Sequence, residues 1–151
     1  MPTYVKGNMF NSNNDVIVIT TNGCINARGE LVMGRGAALD AKTRYPNLPR
    51  IAAQEIKKYP YLTMLGVYIY RFITIPNTQF GLFQVKYHWQ EKADLVLIGQ
   101  SALRLRNMAQ VTPKITYALN FPGIGNGKLD KKIVMLLLED LPENVIIYEL
   151  P

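Results

Sequence analysis

Two glycine-rich segments of the sequence have the composition of loops that bind phosphate. One contains Gly34, Arg35, Gly36 and Ala37, and the other is Gly-Ile-Gly-Asn-Gly over residues 123–127. Glycine lets backbone amides approach a ligand closely, and each segment leads into a predicted helix whose free N–H groups favour an anion. The spacing matches neither a Walker loop nor the dinucleotide motif G-x-G-x-x-G. Either segment alone is open to interpretation as a tight turn, but the pair favours a diphosphate site.

The sequence contains few side chains that could react. Lys86 ends an apolar predicted strand, where loss of water would lower the pKa of its amine and produce a nucleophile or a hydrogen-bonding catalyst. A solvated lysine at the end of a strand is the alternative. His88 is the single histidine and Cys24 the single cysteine, so we expect no disulfide, metal site, cofactor or conventional serine triad. We expect His88 to orient the lysine segment or to pack beside Trp89.

Strands that alternate with helices must position these residues. Strands are predicted over residues 15–21, 63–74, 80–85, 114–120 and 144–148, and helices over residues 36–42, 51–56, 91–108 and 129–138. The first of these strands is β-branched and almost entirely apolar, as in a sheet covered on both faces. The predicted fold is α/β: a three-layer α/β/α sandwich with a mixed, largely parallel central sheet, in a single domain over residues 1–151. Ligand clefts of such sheets lie beyond the carboxyl ends of the strands, where both glycine segments begin.

The composition is that of an ordinary globular protein with a positive charge. The net charge is +6, but the basic residues are scattered and form no long run, so no basic arm for nucleic acid is visible. No apolar run reaches the length of about 20 residues that a membrane helix needs. The N-terminal residues also lack the apolar stretch of a secretory signal. We therefore expect a cytoplasmic monomer without a membrane partner.

In their order along the chain, these motifs resemble the macrodomain family. Residues 5–9 are similar to the family's element beside adenine, with Asn8 in place of the usual aspartate; an amide can still accept from an exocyclic amine. Residues 22–38 are similar to the asparagine and first loop near the distal ribose, and residues 121–130 to the loop that wraps the diphosphate. The resemblance implies ADP-ribose, or an ADP-ribosylated protein, DNA or small molecule, as the binding partner. The ligand-binding residues that it implies are Gly7, Asn8, Met9, Thr21, Asn22, Met33, Gly34, Arg35, Gly36, Ala37, Pro122, Gly123, Ile124, Gly125, Asn126 and Gly127.

A narrower resemblance is to the branch of DNA ADP-ribosyl glycohydrolase antitoxins and terminal ADP-ribose protein glycohydrolases. Residues 83–89, Phe-Gln-Val-Lys-Tyr-His-Trp, are similar to that branch's Phe-Pro-Thr-Lys-x-His-Trp segment, with Gln84 in place of proline. The resemblance implies that Lys86 is catalytic and engages the anomeric carbon of the distal ribose. It also implies that Asp130 acts as general acid/base; a first-turn carboxylate favoured by the helix dipole is the alternative.

We therefore expect an ADP-ribose-binding domain with ADP-ribosyl glycohydrolase activity. Three alternatives are open: a reader without turnover, a phosphatase acting on the phosphate monoester of ADP-ribose, and a basic nucleic-acid-binding domain. A reader leaves modified substrates intact, and a phosphatase releases phosphate. A nucleic-acid-binding domain binds unmodified DNA with an affinity that depends steeply on salt, and it does not respond to ADP-ribose.

Overall fold

The computed structural model describes residues 1–60, 64–124 and 129–151. The strands are β1 (Thr3–Lys6), β2 (Val16–Thr21), β3 (Tyr70–Ile75), β4 (Thr78–Gln84), β5 (Tyr117–Asn120) and β6 (Val145–Glu149). The helices are α1 (Gly36–Arg44), α2 (Leu48–Ile56), α3 (Leu95–Val111) and α4 (Lys131–Leu138), and a 3-10 turn spans Met9–Asn11. None of the helices in these described ranges has the length and apolar character of a membrane span.

The strands form one sheet in the order β1-β6-β5-β2-β4-β3. Every neighbouring pair is parallel except β3 and β4, which form an antiparallel hairpin. The sheet is therefore mixed and largely parallel, as the sequence predicts. The sequence did not predict β1, because this short edge strand has no buried residue and so no apolar pattern.

Side chains of the central strand β2 alternate between two cores. Val16 and Val18 pack with apolar residues of α3 and α4 on one face of the sheet. Ile17 and Ile19 pack with residues of α1 and α2 on the other face. This alternation along a strand places helices on both sides, which gives the predicted α/β/α sandwich.

Helix α3 and strand β3 begin several residues later than the sequence predicts. Helix α3 begins at Leu95 because Asp94 caps it, with the carboxylate accepting from the N–H groups of Val96 at 2.8 Å and Leu97 at 3.1 Å. Strand β3 begins at Tyr70; Thr63, the first residue of the predicted strand, lies outside the described residues. Ile69 directly before β3 has φ of 65°, a left-handed conformation that does not extend a strand.

Candidate functional site

Two cavities join at the carboxyl ends of the parallel strands. The lysine cavity, of about 330 Å³, is lined by Lys86 and by parts of both glycine segments. The Asn8 cavity, of about 470 Å³, is lined by Asn8 and by residues from both ends of the chain. The two form one cleft, because both are lined by the same shared residues, which are Gly36, Ala37, Asn120, Phe121 and Ile124.

Polar residues at the ends of β2 and β5 form the floor of the lysine cavity. Asn120 donates from its amide to the Thr20 hydroxyl at 2.8 Å, and its carbonyl accepts from the Thr20 N–H at 3.0 Å. Thr21 is buried and its hydroxyl is hydrogen-bonded to the Tyr68 hydroxyl. These bonds hold the strand ends at fixed positions, so the floor is formed before a ligand arrives.

The first glycine segment brings the N-terminus of α1 to the cleft. No side chain caps this helix, and its first turn contains no acidic residue. Gly34, Arg35, Gly36 and Ala37 all line the lysine cavity. The free N–H groups and the positive end of the helix dipole therefore face the space where an anion would bind.

Asn22 joins the end of β2 to the first glycine segment. Its amide donates to the Val32 carbonyl at 3.0 Å, and its carbonyl accepts from the Cys24 N–H at 2.9 Å. The residue is almost fully buried but still lines the lysine cavity. Its side chain therefore holds the loop in place, with one N–H left over that could reach a ligand.

Gly123, the first residue of the second glycine segment, lies in a tight turn. This residue has φ of 78°, where a side chain would be strained, and its carbonyl accepts from the Leu129 N–H at 2.8 Å. A Cβ there would also lie 2.8 Å from Cδ1 of Ile98 and 2.9 Å from Cδ1 of Leu129. Glycine is therefore required where the loop passes over α3, and Gly123 and Ile124 line the lysine cavity.

Lys86 reaches the lysine cavity from just beyond β4. Its Nζ lies 3.4 Å from the Trp89 carbonyl and 3.3 Å from the Glu91 carbonyl, which are long contacts for hydrogen bonds. Partial burial lowers the pKa of Lys86, and the positive charge of Arg35 lowers it further, while Glu91 opposes the shift. The amine is therefore easier to deprotonate than an ordinary lysine. Lys86 and Arg35 of the first glycine segment line the same cavity.

A buried amide, Gln84, supports the segment that carries Lys86. Its carbonyl accepts from the N–H groups of Tyr68 at 2.8 Å and Ile69 at 2.9 Å. Its Nε2 donates to the carbonyls of Gly66 at 2.7 Å and Lys86 at 3.1 Å. Gln84 therefore links the backbone of Lys86 to the segment before β3, a role that the proline of the resembled motif could not fill.

His88 stacks on Trp89 with ring centroids 5.6 Å apart, and Trp89 lines the lysine cavity. The Nδ1 atom of His88 accepts from the Gln90 N–H at 3.2 Å. His88 therefore packs beside Trp89, which is one of the two roles expected for it. This contact places an aromatic wall next to Lys86.

Most of the predicted binding residues in the described ranges lie in the cleft. Lys86, Thr21, Asn22, Gly34, Arg35, Gly36, Ala37, Gly123 and Ile124 line the lysine cavity, and Gly7, Asn8 and Met9 line the Asn8 cavity. Gly125, Asn126 and Gly127 lie outside the described residues.

Met33, Pro122 and Asp130 do not line either cavity as the described residues form them. Met33 is 2% exposed because its side chain packs into the core beneath α1 and α2. Pro122 is also buried. Asp130 is exposed and caps α4, with its carboxylate accepting from the Lys132 N–H at 2.8 Å. Asp130 is thus the N-cap of α4, one residue before the first turn, and its catalytic role stays a prediction.

Several cleft residues were missed by sequence reasoning, among them Thr20, Asn120 and Phe121. Asn120 and Thr20 stand at the carboxyl ends of adjacent parallel strands, so a polar residue closing an apolar run was an available signal. Phe121 directly follows β5, and its ring lies 5.5 Å from the Nζ atom of Lys131 and 6.3 Å from the Tyr4 ring. The sequence contains no sign of these contacts, since they depend on how distant segments pack.

No protein-family model and no curated protein sequence matches the chain. Solved structures do match it. The macrodomain of Mycobacterium tuberculosis DarG has a TM-score of 0.73 at 25% identity, over 98% of this chain and 97% of its own. The macrodomain of Thermus aquaticus DarG has a TM-score of 0.72 at 23% identity, over 100% of this chain and 98% of its own.

A third match is Thermosipho africanus DarTG in complex with ADP-ribose, with a TM-score of 0.76 at 21% identity. That likeness covers 99% of this chain and 42% of the longer protein. The chain therefore has the macrodomain fold, and the structures similar to it include the DarG macrodomains of the branch that its motifs resemble.

Proposed function

We propose that the cleft binds ADP-ribose and that Lys86 cleaves the bond between the distal ribose and an ADP-ribosylated group. One observation carries the proposal: the amine of Lys86, with its lowered pKa, lines the same cavity as the uncapped N-terminus of α1 and the Gly123 turn. A diphosphate at that helix end would place its attached ribose within the lysine cavity. The structure of Thermosipho africanus DarTG in complex with ADP-ribose, part of which has this fold, supports the same ligand here.

The electrostatics and shape of the cleft suit each part of ADP-ribose. The diphosphate is an anion, and the helix terminus and the Arg35 guanidinium both favour negative charge. The Asn8 cavity has apolar surfaces from Met9, Phe10 and Phe121, which suit a flat nucleobase. In this arrangement the base lies at one end of the cleft and the distal ribose lies beside Lys86 at the other.

Lys86 would act as the nucleophile in its neutral form. Its lone pair attacks the anomeric carbon, forming a C–N bond while the bond from that carbon to the modified group breaks. The leaving group takes up the proton that the lysine nitrogen loses. Water then adds to the same carbon and displaces the lysine, which gives free ADP-ribose with a hydroxyl at that carbon. The net reaction is hydrolysis, and Lys86 is regenerated.

Asp130 remains a candidate for the acid/base role within this proposal. Its carboxylate is exposed and caps α4 beside Lys131, which forms an ion pair with Glu149 at 2.7 Å. Glu149 lines the Asn8 cavity, whereas Asp130 lines neither cavity as the described residues form them. The proposal therefore rests on Lys86, and Asp130 is tested separately.

Ligand binding is the first test. Calorimetric titration with ADP-ribose should give a micromolar Kd, equivalent to about −8 kcal/mol. AMP and ribose 5-phosphate should bind at least about tenfold more weakly, because each lacks the diphosphate bridge between the two ends of the cleft. Absence of binding and of thermal stabilisation at millimolar ADP-ribose would contradict the proposal.

Turnover is the second test. Release of ADP-ribose from modified DNA, protein and a small ester should be measured for the wild type, Lys86→Met and the matched control Lys114→Met. Lys114 is exposed and lines neither cavity within the described residues. Loss of turnover in Lys86→Met alone is the expected result. Binding without release by the wild type would identify a reader, and phosphate release from the phosphate monoester of ADP-ribose alone would identify a phosphatase.

A further inference from the structure

The Asn8 side chain presents a hydrogen-bond donor at the base end of the cleft. Its Oδ1 accepts from the Phe10 N–H at 3.0 Å, which identifies the oxygen of the amide because a backbone N–H can only donate. The other amide atom, Nδ2, has no hydrogen-bond partner among residues 1–60, 64–124 and 129–151. Asn8 is half-buried and lines the Asn8 cavity, so this NH₂ group is the polar function that the side chain can offer there.

Both carboxylates that line the Asn8 cavity, Asp40 and Glu149, accept from cationic side chains of the protein. Asp40 accepts from Arg44 at 2.9 Å. Glu149 accepts from Lys6 at 2.7 Å and from Lys131 at 2.7 and 2.8 Å, and these two lysines lower its pKa. These two carboxylates therefore have fewer acceptor positions left for an amine of a bound base.

Tyr148 also lines this cavity, and its hydroxyl oxygen accepts from Nδ2 of Asn14 at 2.8 Å. The Asn8 cavity thus combines apolar surfaces with the uncommitted amide donor of Asn8. Such a surface complements a base whose edge carries a carbonyl acceptor more closely than one whose edge carries an amine.

We propose that the base end of this cleft accepts a 6-oxopurine, with a carbonyl at its exposed edge, at least as tightly as the 6-aminopurine adenine. The proposal rests on the proposed function, because it requires the nucleobase of the ligand to lie in the Asn8 cavity. A carboxylate at this position would accept from an amine and repel a carbonyl oxygen. The amide of Asn8 instead donates to the carbonyl while its own oxygen remains bonded to the Phe10 N–H.

The test compares two ligands that differ at the base. ADP-ribose and its hypoxanthine analogue, inosine diphosphate ribose, are titrated by calorimetry into the wild type, Asn8→Asp and Asn107→Asp. Aspartate is as good a helix cap as asparagine, so Asn8→Asp should keep the Met9–Asn11 turn and fold. Asn107 is exposed on α3 and lines neither cavity in the described part of the chain, so its variant controls for the added charge.

We expect the wild type and Asn107→Asp to bind the hypoxanthine analogue with a Kd equal to or below that of ADP-ribose. In Asn8→Asp, the ratio of the two Kd values should shift by about tenfold or more toward adenine, because the carboxylate accepts from the 6-amino group of adenine and repels the 6-carbonyl oxygen of hypoxanthine. A wild type that prefers ADP-ribose by about tenfold, or a ratio that Asn8→Asp leaves unchanged, would overturn the inference while ADP-ribose binding stands. If neither ligand binds the wild type, the proposed function fails and the inference fails with it.

Discussion

Replacing Gln84 with alanine should destabilise the protein more than a typical change on the sheet. The side chain is fully buried and is hydrogen-bonded to four backbone groups, at Gly66, Tyr68, Ile69 and Lys86. Alanine leaves those groups without their partner in the interior, where such a loss is costly.

The size of the effect follows from the number of bonds. At a net contribution of about 1 kcal/mol for each hydrogen bond, Gln84→Ala should lower the free energy of unfolding by about 4 kcal/mol. In a domain of this size each kcal/mol corresponds to about 2–4 °C, so Tm should fall by about 8–16 °C. A total stability of about 5–15 kcal/mol would leave the variant folded at low temperature.

The assay is thermal unfolding monitored by circular dichroism. Urea unfolding gives a second measure of the free energy of unfolding. Gln79→Ala is the matched control, because Gln79 lies on the same strand, β4, and is exposed. A Tm for Gln84→Ala within about 2 °C of the control would refute the reasoning, since it would mean that the four backbone groups find equivalent partners without the amide.

Three further outcomes are expected. Asp130→Ala should lower the free energy of unfolding by about 1 kcal/mol, and Asp130→Asn should lower it by much less, because asparagine still caps α4. Turnover that survives in Asp130→Asn would exclude the carboxylate from the chemistry. Asp94→Ala should cost about 1 kcal/mol in urea unfolding through loss of the α3 cap, and a loss no larger than in Asp140→Ala, an exposed control, would contradict this. The turnover rate should rise with pH as Lys86 loses its proton, with a midpoint below the ordinary lysine pKa of 10.5; a rate that is flat with pH, or a midpoint at or above that value, would argue against Lys86 as nucleophile.

The sequence alone was sufficient for the fold class and for most of the cleft. The apolar β-branched run of β2 must be covered on both faces, and in the structure its alternate side chains enter two separate cores. Glycine segments that follow parallel strands must lie at one edge of the sheet, and the structure brings Gly34, Gly36 and Gly123 into one cavity. These predictions succeed because they depend on local composition and on the direction of the strands.

Tertiary structure decided the burial and the hydrogen-bond partners of each functional group. Whether Asp130 faces a ligand or caps a helix depends on where α4 begins, and Met33 is in the core because of how its loop packs under α1. The donor character of Asn8 depends on its bond to Phe10, and the support of Lys86 by Gln84 depends on a segment that lies 18 residues earlier in the chain. The sequence indicated that the glycine segments and Lys86 reach the cleft, since each follows a predicted strand. Only the folded chain decided what those groups can bind, because that depends on which donors and acceptors the protein has already used.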